Sequence, residues 1–284
     1  MNIGLGLPIS DPAVLLDWAR RADAGPFTTL GLLDRLVYDN PEPLVTLAAV
    51  AAVTTRIRVQ TEVLLAPLRQ PALLAKQAAT LDRLSGGRLT LGLGVGDARR
   101  RDDFEAAGVD PRRRGRRLDE QLAVMRRIWS GPSYDSDIGP IGPAPARPGG
   151  PEVLFGGFRP AALERVAQWG DGFLAAAPPA WAGNLFRAVE QAWQAAGRPG
   201  RPKIVAQANA ALGSPDVIDD ARTAIAGYYA FTGDPGPAVD GLLTTAGEIH
   251  AAVEEFEGLG ANEVMLYCWA RDPDQVDRIG DLLA

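Results

Sequence analysis

The sequence predicts an α/β fold, a (β/α)₈ TIM barrel that forms a single domain over residues 1–284. Its length of 284 residues suits one barrel of about 250 residues better than two domains. Short apolar runs alternate with amphipathic helical stretches, which is the pattern of parallel βα units. About eight runs occur, whereas open doubly wound sheets more often have roughly five to seven strands. The predicted strands cover residues 2–8, 28–34, 56–65, 88–96, 151–157, 171–176, 203–212 and 262–269.

Capping residues mark where helices begin between these strands. Asp11 and Pro12 precede a predicted helix over 13–24, and Pro71 lies in the first turn of a helix that runs to Leu84. The segment 130–150 fits no βα unit, because it holds five prolines and several glycines. We interpret it as a Pro/Gly-rich insertion before strand 5, and its composition leaves open both a lid and an unstructured connection.

Composition excludes several classes of function. One cysteine, Cys268, and one histidine, His250, cannot build a zinc site, an iron–sulfur cluster or an internal disulfide, and His250 has no nucleophile motif around it. No metal site is therefore expected. A net charge of −6 and a pI near 5.0 argue against nucleic-acid binding. No apolar run approaches the ~18 residues of a membrane span and no signal peptide is visible, so we expect a cytoplasmic enzyme.

In a (β/α)₈ barrel the active site gathers at the carboxyl ends of the strands. Two glycine patterns stand out at these ends. Alternation along the fourth strand places Gly92, Gly94 and Gly96 on one face, which leaves room for a planar ring or a close backbone, or else only relieves crowding in the barrel. Gly156 and Gly157 precede a predicted helix, where backbone N–H groups could bind phosphate or simply form a βα turn.

Longer motifs resemble a known family. Residues 80–96 read TLDRLSGGRLTLGLGVG, preceded by TTRIRV at 54–59 and followed by DFE at 103–105. Later, GG at 156–157 is followed by PAAL at 160–163 and GDGF at 170–173. Together these motifs are similar to those of the bacterial luciferase-like monooxygenase superfamily, and they cover residues 2 to about 176. The last third of the chain is similar in pattern only.

The resemblance implies a barrel that binds a flavin-type cofactor, coenzyme F420 (a deazaflavin) or alternatively FMN, and acts on a small-molecule substrate. The cofactor would supply the redox chemistry. A separate cofactor reductase and a homodimer are also expected. In this family the third strand ends in a bulge with a non-prolyl cis peptide against the cofactor ring, and the matching bond here is Glu62–Val63.

The resemblance also assigns roles to individual residues. Gly156 and Gly157 match the phosphate-binding glycines, and Asp97, directly after Gly96, matches an acid/base or ring-contacting carboxylate. Arg100 matches a residue that reaches phosphate or ribityl oxygens, and Asp34 matches a ring-edge position. The cofactor site is thus expected to include Asp34, Glu62, Val63, Gly96, Asp97, Arg100, Gly156 and Gly157, with Asp97, Glu62 and Asp34 as catalytic candidates.

The chain departs from the family pattern at two positions. Many deazaflavin-using relatives carry Asp-His after the second strand, whereas Arg35 follows Asp34 here. The residue before the cis bond is usually small or apolar, so Glu62 is either a proton donor or a member of an ion pair with Arg35 or Arg100. One or two arginines of the 99–101 and 112–117 clusters are expected at the anionic tail of the cofactor.

The leading hypothesis is an oxidoreductase, by hydride transfer with F420 or by monooxygenation with reduced FMN. Substrate is expected to lie against Trp269, Phe173, Trp181 and the proline-rich segment. One alternative is a barrel lyase or isomerase without redox chemistry that binds a phosphorylated ligand at Gly156 and Gly157. Another is a cofactor-binding protein that lacks catalysis.

Overall fold

The computed structural model describes residues 1–283 of the chain and has the predicted (β/α)₈ barrel. Eight parallel strands pair in chain order, and the last pairs with the first, which closes the sheet. Each strand lies within one of the predicted ranges, so the predicted fold is confirmed. The strands are β1 (Asn2–Gly6), β2 (Thr29–Leu32), β3 (Arg58–Thr61), β4 (Leu89–Gly94), β5 (Glu152–Gly156), β6 (Gly172–Ala175), β7 (Lys203–Ala210) and β8 (Glu263–Cys268).

Helices connect the strands and cover the outside of the barrel. Two-residue strands extend the sheet at Leu64–Leu65, beside β4, and at Leu242–Leu243, beside β7. The helices are α1 (Pro12–Ala24), α2 (Pro43–Ala52), α3 (Pro71–Leu84), α4 (Arg101–Ala106), α5 (Arg114–Trp129), α6 (Pro160–Trp169), α7 (Pro179–Ala195), α8 (Pro215–Tyr229), α9 (Gly236–Asp240), α10 (Ala246–Gly258) and α11 (Asp274–Leu282). Among residues 1–283, no helix combines the length and apolar composition needed to cross a bilayer.

The helix starts follow the capping chemistry in the sequence. The Asp11 carboxylate accepts a 2.7 Å hydrogen bond from the Ala13 N–H at the start of α1. The Gln70 side-chain oxygen accepts a 2.8 Å bond from the Leu73 N–H at the start of α3. In both helices a proline occupies the first turn, where a backbone N–H has no partner within the helix. The predicted bounds of the helix that ends at Leu84 are confirmed.

Strand alternation separates two packing layers. Phe173 and Ala175 of β6 face the helices, whereas Leu174 faces the barrel interior with Leu154 and Val205. Because alternate side chains of a strand point to opposite faces, each barrel strand contributes side chains both to the layer against the helices and to the barrel interior. The expectation that Phe173 contacts substrate is therefore wrong, since its side chain is buried between the sheet and the helices.

Charged and hydroxyl side chains fill the N-terminal end of the barrel interior. The Nζ atom of Lys203 lies 3.0 Å from Glu263 Oε2 and 3.5 Å from Glu152 Oε2. Thr90 donates a 2.7 Å bond to Glu152, and Arg58 donates a 2.7 Å bond to Thr90. These groups neutralise one another, which is the condition for burying charge at low cost.

The proline-rich segment 130–150 contains no helix or strand and connects α5 to β5. It therefore lies at the N-terminal end of the barrel, where strands begin. Lys76 of α3 donates a 2.7 Å bond to the Gly142 carbonyl, and Asp82 accepts a 2.8 Å bond from the Ala146 N–H. This position excludes a lid over the carboxyl ends of the strands, because the segment is at the opposite end of the molecule.

Candidate functional site

A cleft of about 1050 Å³ opens at the carboxyl ends of the strands. It runs from the end of β3, across the loop after β4, to the turn between β5 and α6. A smaller cavity of about 180 Å³ adjoins it beneath the end of α8. Six of the eight predicted cofactor-site residues line the large cleft, namely Glu62, Val63, Gly96, Asp97, Gly156 and Gly157. The other two, Asp34 and Arg100, line the smaller cavity.

The floor of the cleft is the bulge that follows β3. The Glu62–Val63 peptide bond is cis, as the family resemblance implies. The glycines of β4 make room for this bulge: a Cβ atom on Gly94 would lie 2.4 Å from Val63 Cγ2, and one on Gly92 would lie 2.0 Å from the Thr61 carbonyl oxygen. The glycine face of β4 therefore lets the neighbouring strand approach closely. A close backbone was one of the alternatives that the glycine pattern allowed.

Glu62 is buried at the junction of the two cavities. Its Oε1 accepts a 2.7 Å hydrogen bond from Gln60 Nε2, and its Oε2 has no partner. The carboxyl group lies over Gly31 of β2, where a Cβ atom would be 2.3 Å from Glu62 Cδ. Burial raises the pKa of Glu62 to about 8, against the opposing effect of the Gln60 hydrogen bond and with a further increase from Glu263. Glu62 is therefore a neutral carboxylic acid at pH 7.

Neither arginine that could have paired with Glu62 does so. Arg35 Nε donates a 2.7 Å bond to Asp103, and both side chains are buried. Arg100 donates to the Tyr228 carbonyl oxygen, and its guanidinium lies 3.6 Å from the centroid of the Phe231 ring. Arg100 thus holds the end of α8 and the turn after it against the loop that follows β4, instead of pointing toward the diglycine.

Asp34 is engaged by protein groups on both carboxylate oxygens. Arg69 Nη1 lies 2.6 Å from Oδ2 and Nη2 lies 3.1 Å from Oδ1, and the Leu65 N–H donates a 2.7 Å bond to Oδ2. The side chain is 3% exposed. In this arrangement Asp34 fastens the chain after the β3 bulge to the end of β2.

Asp97 lies at the rim of both cavities and is 36% exposed. Arg99 Nη2 is 2.6 Å from its Oδ2. The hydrogen bond from Arg99 lowers the pKa of Asp97, which outweighs the effect of partial burial. Asp97 therefore stays ionised at neutral pH, whereas the pKa of Glu62 is raised.

The far end of the cleft has the features of an anion site. Gly157 has a φ of 147°, and a Cβ atom there would lie 2.7 Å from the Ala162 side chain. The next residues begin α6, whose N-terminus has no side-chain cap. Arg114 and Arg159 line this part of the cleft. Free backbone N–H groups at a helix N-terminus together with cations favour a phosphate group.

Several residues of the site were not found from sequence. Tyr228, Tyr229 and Phe231 wall the small cavity, although the connection between β7 and β8 carries no motif that predicts this. Gln60 could have been found, because it lies two residues before Glu62 on the same strand face. Trp181, expected against substrate, is 66% exposed and outside both cavities, and Trp269 packs behind Tyr228 with ring centroids 5.2 Å apart. Among the described residues, no group of three or more potential ligands is arranged for a metal ion.

Comparisons with known proteins identify a family and similar folds. A model of the luciferase-like monooxygenase family matches residues 4–277. An uncharacterised protein of Mycobacterium tuberculosis is 35% identical over 172 residues, 58% of this chain and 60% of that protein. An F420-dependent secondary alcohol dehydrogenase, solved with an F420-acetone adduct, has a TM-score of 0.80 at 19% identity, with 99% and 97% of the two chains covered. The oxygenating constituent of 3,6-diketocamphane monooxygenase from Pseudomonas putida, solved with FMN, has a TM-score of 0.74 at 17% identity, with 100% and 96% covered.

The family match spans nearly the whole chain, and the chain belongs to the luciferase-like monooxygenase family. It spans about three fifths of the length of the curated relative that it matches. The likeness to the two solved structures, at identities below 25%, is one of fold. The resemblance read from residues 80–96 and 156–173 is therefore confirmed at the level of family and barrel.

Proposed function

We propose that this protein is an oxidoreductase that uses coenzyme F420 to transfer a hydride to or from a medium-sized, partly apolar organic substrate. The observation that carries the proposal is Glu62, a neutral carboxylic acid with an unpartnered oxygen between the cleft and the small cavity. Family membership supports a flavin-type cofactor. When bound, that cofactor supplies the two-electron chemistry, which no side chain of this protein provides.

The residues present fit such a cofactor at both ends of the cleft. At one end, the bulge at Glu62 and Val63 offers a floor for a planar ring. At the other, the start of α6 offers the backbone N–H of Ala161 to phosphate oxygens, beside Arg159. Arg114 also borders the cleft, and Arg99 borders it in its ion pair with Asp97. Because the tail of F420 is longer and more charged than the phosphate of FMN, this spread of cations favours F420.

Glu62 would hold the transferable proton. Its Oε1 accepts a hydrogen bond from Gln60, so the acid proton resides on Oε2, which has no protein partner. A neutral acid there donates to a substrate oxygen and avoids repulsion of an anionic reduced cofactor. In this proposal Asp97 contacts the cofactor as a carboxylate, and Asp34 and Arg100 act by holding the chain around the site.

Titration of the purified protein with oxidised F420 and, separately, with FMN tests the proposal directly. Cofactor fluorescence and absorbance report binding. We expect saturable binding of F420 and weaker binding of FMN. Tight binding of FMN alone would instead indicate oxygen activation and a monooxygenase. Binding of neither would favour a lyase or isomerase with a phosphorylated ligand, and F420 binding without turnover over a substrate panel would indicate a protein that lacks catalysis.

A matched pair of variants tests the phosphate end. Ala161 and Ala180 are both exposed and both follow the proline that begins a helix, α6 and α7 respectively, but only Ala161 lines the cleft. An aspartate in a first turn is favourable for a helix, so neither variant should lose stability. Ala161→Asp should weaken F420 binding about tenfold, because its charge repels phosphate, whereas Ala180→Asp should leave it unchanged. Equal affinities for both variants would remove α6 from the cofactor site.

Partners belong to the same proposal. A separate reductase would return the cofactor to its reduced form, and the protein would act as a homodimer in the cytoplasm. Light scattering on the eluted protein tests the homodimer. Stoichiometric oxidation of reduced F420 by a substrate in the absence of other proteins would show that the reductase serves only to regenerate the cofactor.

A further inference from the structure

The small cavity beside the cleft has the size of a single ring. Its volume is about 180 Å³, and it shares Glu62, Val63 and Asp97 with the cleft. Aromatic side chains, Tyr229 and Phe231 among them, form its wall. A protein cavity of about 150 Å³ can hold benzene, so this space suits one six-membered ring with a small substituent.

The carboxylates around the cavity already have arginine or backbone N–H partners. Asp34 accepts two hydrogen bonds from Arg69, and Asp103 accepts one from Arg35 and two from backbone N–H groups. Asp97 forms an ion pair at the rim. A cationic ligand would therefore find no free carboxylate, and it would meet the guanidinium of Arg35.

The polar groups that remain free are hydrogen-bond donors. Arg35 Nη1 is buried without a partner, and so is Glu62 Oε2. The raised pKa of Glu62 favours its protonated form, in which this carboxyl can donate. Among residues 1–283, the hydroxyl groups of Tyr228 and Tyr229 make no hydrogen bond to protein. Guanidinium donates only, and a phenol hydroxyl donates readily. A ligand that leaves these donors satisfied must bring an acceptor oxygen.

The charge around the cavity favours a neutral acceptor over an anion. Arg35 is balanced by Asp103 at 2.7 Å, and Asp34 and Asp97 add two further carboxylates whose charges are balanced by their own arginines. Among residues 1–283, Arg100 is the one cation lining the cavity without a carboxylate partner, and it is turned toward the Tyr228 carbonyl and the Phe231 ring. An anionic ligand would be desolvated here without a dedicated cation.

We propose that this cavity binds a neutral single-ring compound through a carbonyl oxygen, held by the hydroxyl groups of Tyr228 and Tyr229 beside Arg35 and Glu62. The inference rests on the proposed function only in naming this compound class as the substrate. Binding itself needs no cofactor. The ring would pack against Phe231, and its carbonyl oxygen would lie within reach of the donors.

Three probes with one carbon skeleton test the inference: acetophenone, 1-phenylethanol and 1-phenylethylamine. Ligand-observed saturation-transfer NMR on the protein without added cofactor measures their affinities. We expect acetophenone to bind tightest and the protonated amine to bind at least tenfold more weakly. The double variant Tyr228→Phe, Tyr229→Phe keeps both rings and should weaken acetophenone binding about three- to tenfold, the effect of one or two lost hydrogen bonds.

Tyr134→Phe is the matched control, because Tyr134 belongs to the segment 130–150 at the other end of the barrel and should not affect the probes. Equal binding of ketone and amine, or an unchanged affinity in the folded double variant, would overturn the inference. An F420 titration of the same sample separates the two proposals. F420 binding without a preference for the ketone removes this inference alone, and ketone preference without F420 binding removes the proposed cofactor alone.

Discussion

Two buried glutamates inside the barrel differ in their protonation. Glu263, near the N-terminal end, accepts hydrogen bonds from Thr28 and Thr29 at 2.8 and 2.5 Å and lies 3.0 Å from Lys203 Nζ. Glu62, near the carboxyl end, has a single hydrogen bond, from Gln60. Burial by itself would raise the pKa of both. At Glu263 the lysine and hydroxyl groups outweigh burial and lower the pKa, whereas at Glu62 burial prevails.

The comparison shows that the number of charged and donor partners decides which carboxyl ionises in a closed barrel. At the N-terminal end of the barrel interior, Lys203 and hydroxyl groups balance the charge of Glu263, and this pairing contributes to stability. At the carboxyl end, Glu62 has a single hydrogen-bond partner, and it keeps its proton at neutral pH. Such an imbalance costs stability and is characteristic of a functional position.

The largest expected effect is on the pH dependence of stability. The pKa of Glu62 is about 8 in the folded protein and near 4.5 when unfolded, so the folded state binds more protons between these values. Stability therefore falls as pH rises through this range, by about 4 kcal/mol for this group. Glu62→Gln should remove that fall, which urea unfolding at pH 5, 6.5 and 8 would reveal.

Glu263→Gln is the matched control for this slope. The folded pKa of Glu263 is lowered, so the stability it contributes is present above about pH 4.5 and is lost as pH falls further. Its glutamine variant should lose stability at neutral pH and leave the slope between pH 5 and 8 unchanged. Parallel pH profiles of the wild type and Glu62→Gln would show that Glu62 is ionised, contrary to the comparison.

The two lysines of the chain offer the next test. Lys203 neutralises Glu152 and Glu263 inside the barrel, whereas Lys76 is exposed on α3 and bonds a carbonyl oxygen. Lys203→Met should lower the free energy of unfolding by about 3 kcal/mol, since it leaves the buried carboxylate of Glu263 without its cation, whereas Glu152 keeps Arg58. Lys76→Met should change it by less than about 0.5 kcal/mol. Similar losses in chemical denaturation would mean that the interior network is not a stabilising one.

The smallest effect on stability is expected at Asp97. Its ion pair with Arg99 is partly exposed, and such pairs contribute about 0–1 kcal/mol. Asp97→Asn should therefore change the free energy of unfolding by less than about 1 kcal/mol while lowering turnover of the F420-loaded enzyme about tenfold. A wild-type rate would remove Asp97 from the chemistry and leave Glu62 as the acid/base candidate.

Much of the fold follows from local pattern. The eight strand ranges, the helix from Pro71 to Leu84 and the diglycine before α6 are all read from apolar period, capping residues and turn residues, which act over a few neighbours. The candidate site was harder to predict. Arg100 and Asp34 were expected to contact the cofactor. In the structure Arg100 donates to the Tyr228 carbonyl and Asp34 accepts from Arg69, and both partners are distant in sequence.

The proline-rich segment illustrates the same limit. Its composition indicated a long irregular connection, and the structure agrees. Which end of the barrel it occupies depends on whether it follows a helix or a strand, and its position after α5 places it away from the cleft.

The sequence by itself determined the barrel, the family and the positions at which strands end, because these depend on residues close together in the chain. The tertiary structure decided which carboxyl keeps its proton, which arginines remain free to bind a ligand, and that Tyr228, Tyr229 and Phe231 wall a second cavity. These outcomes depend on burial and on partners from different strands and helices. Desolvation and pairing act through space, so they are set only when the barrel has closed.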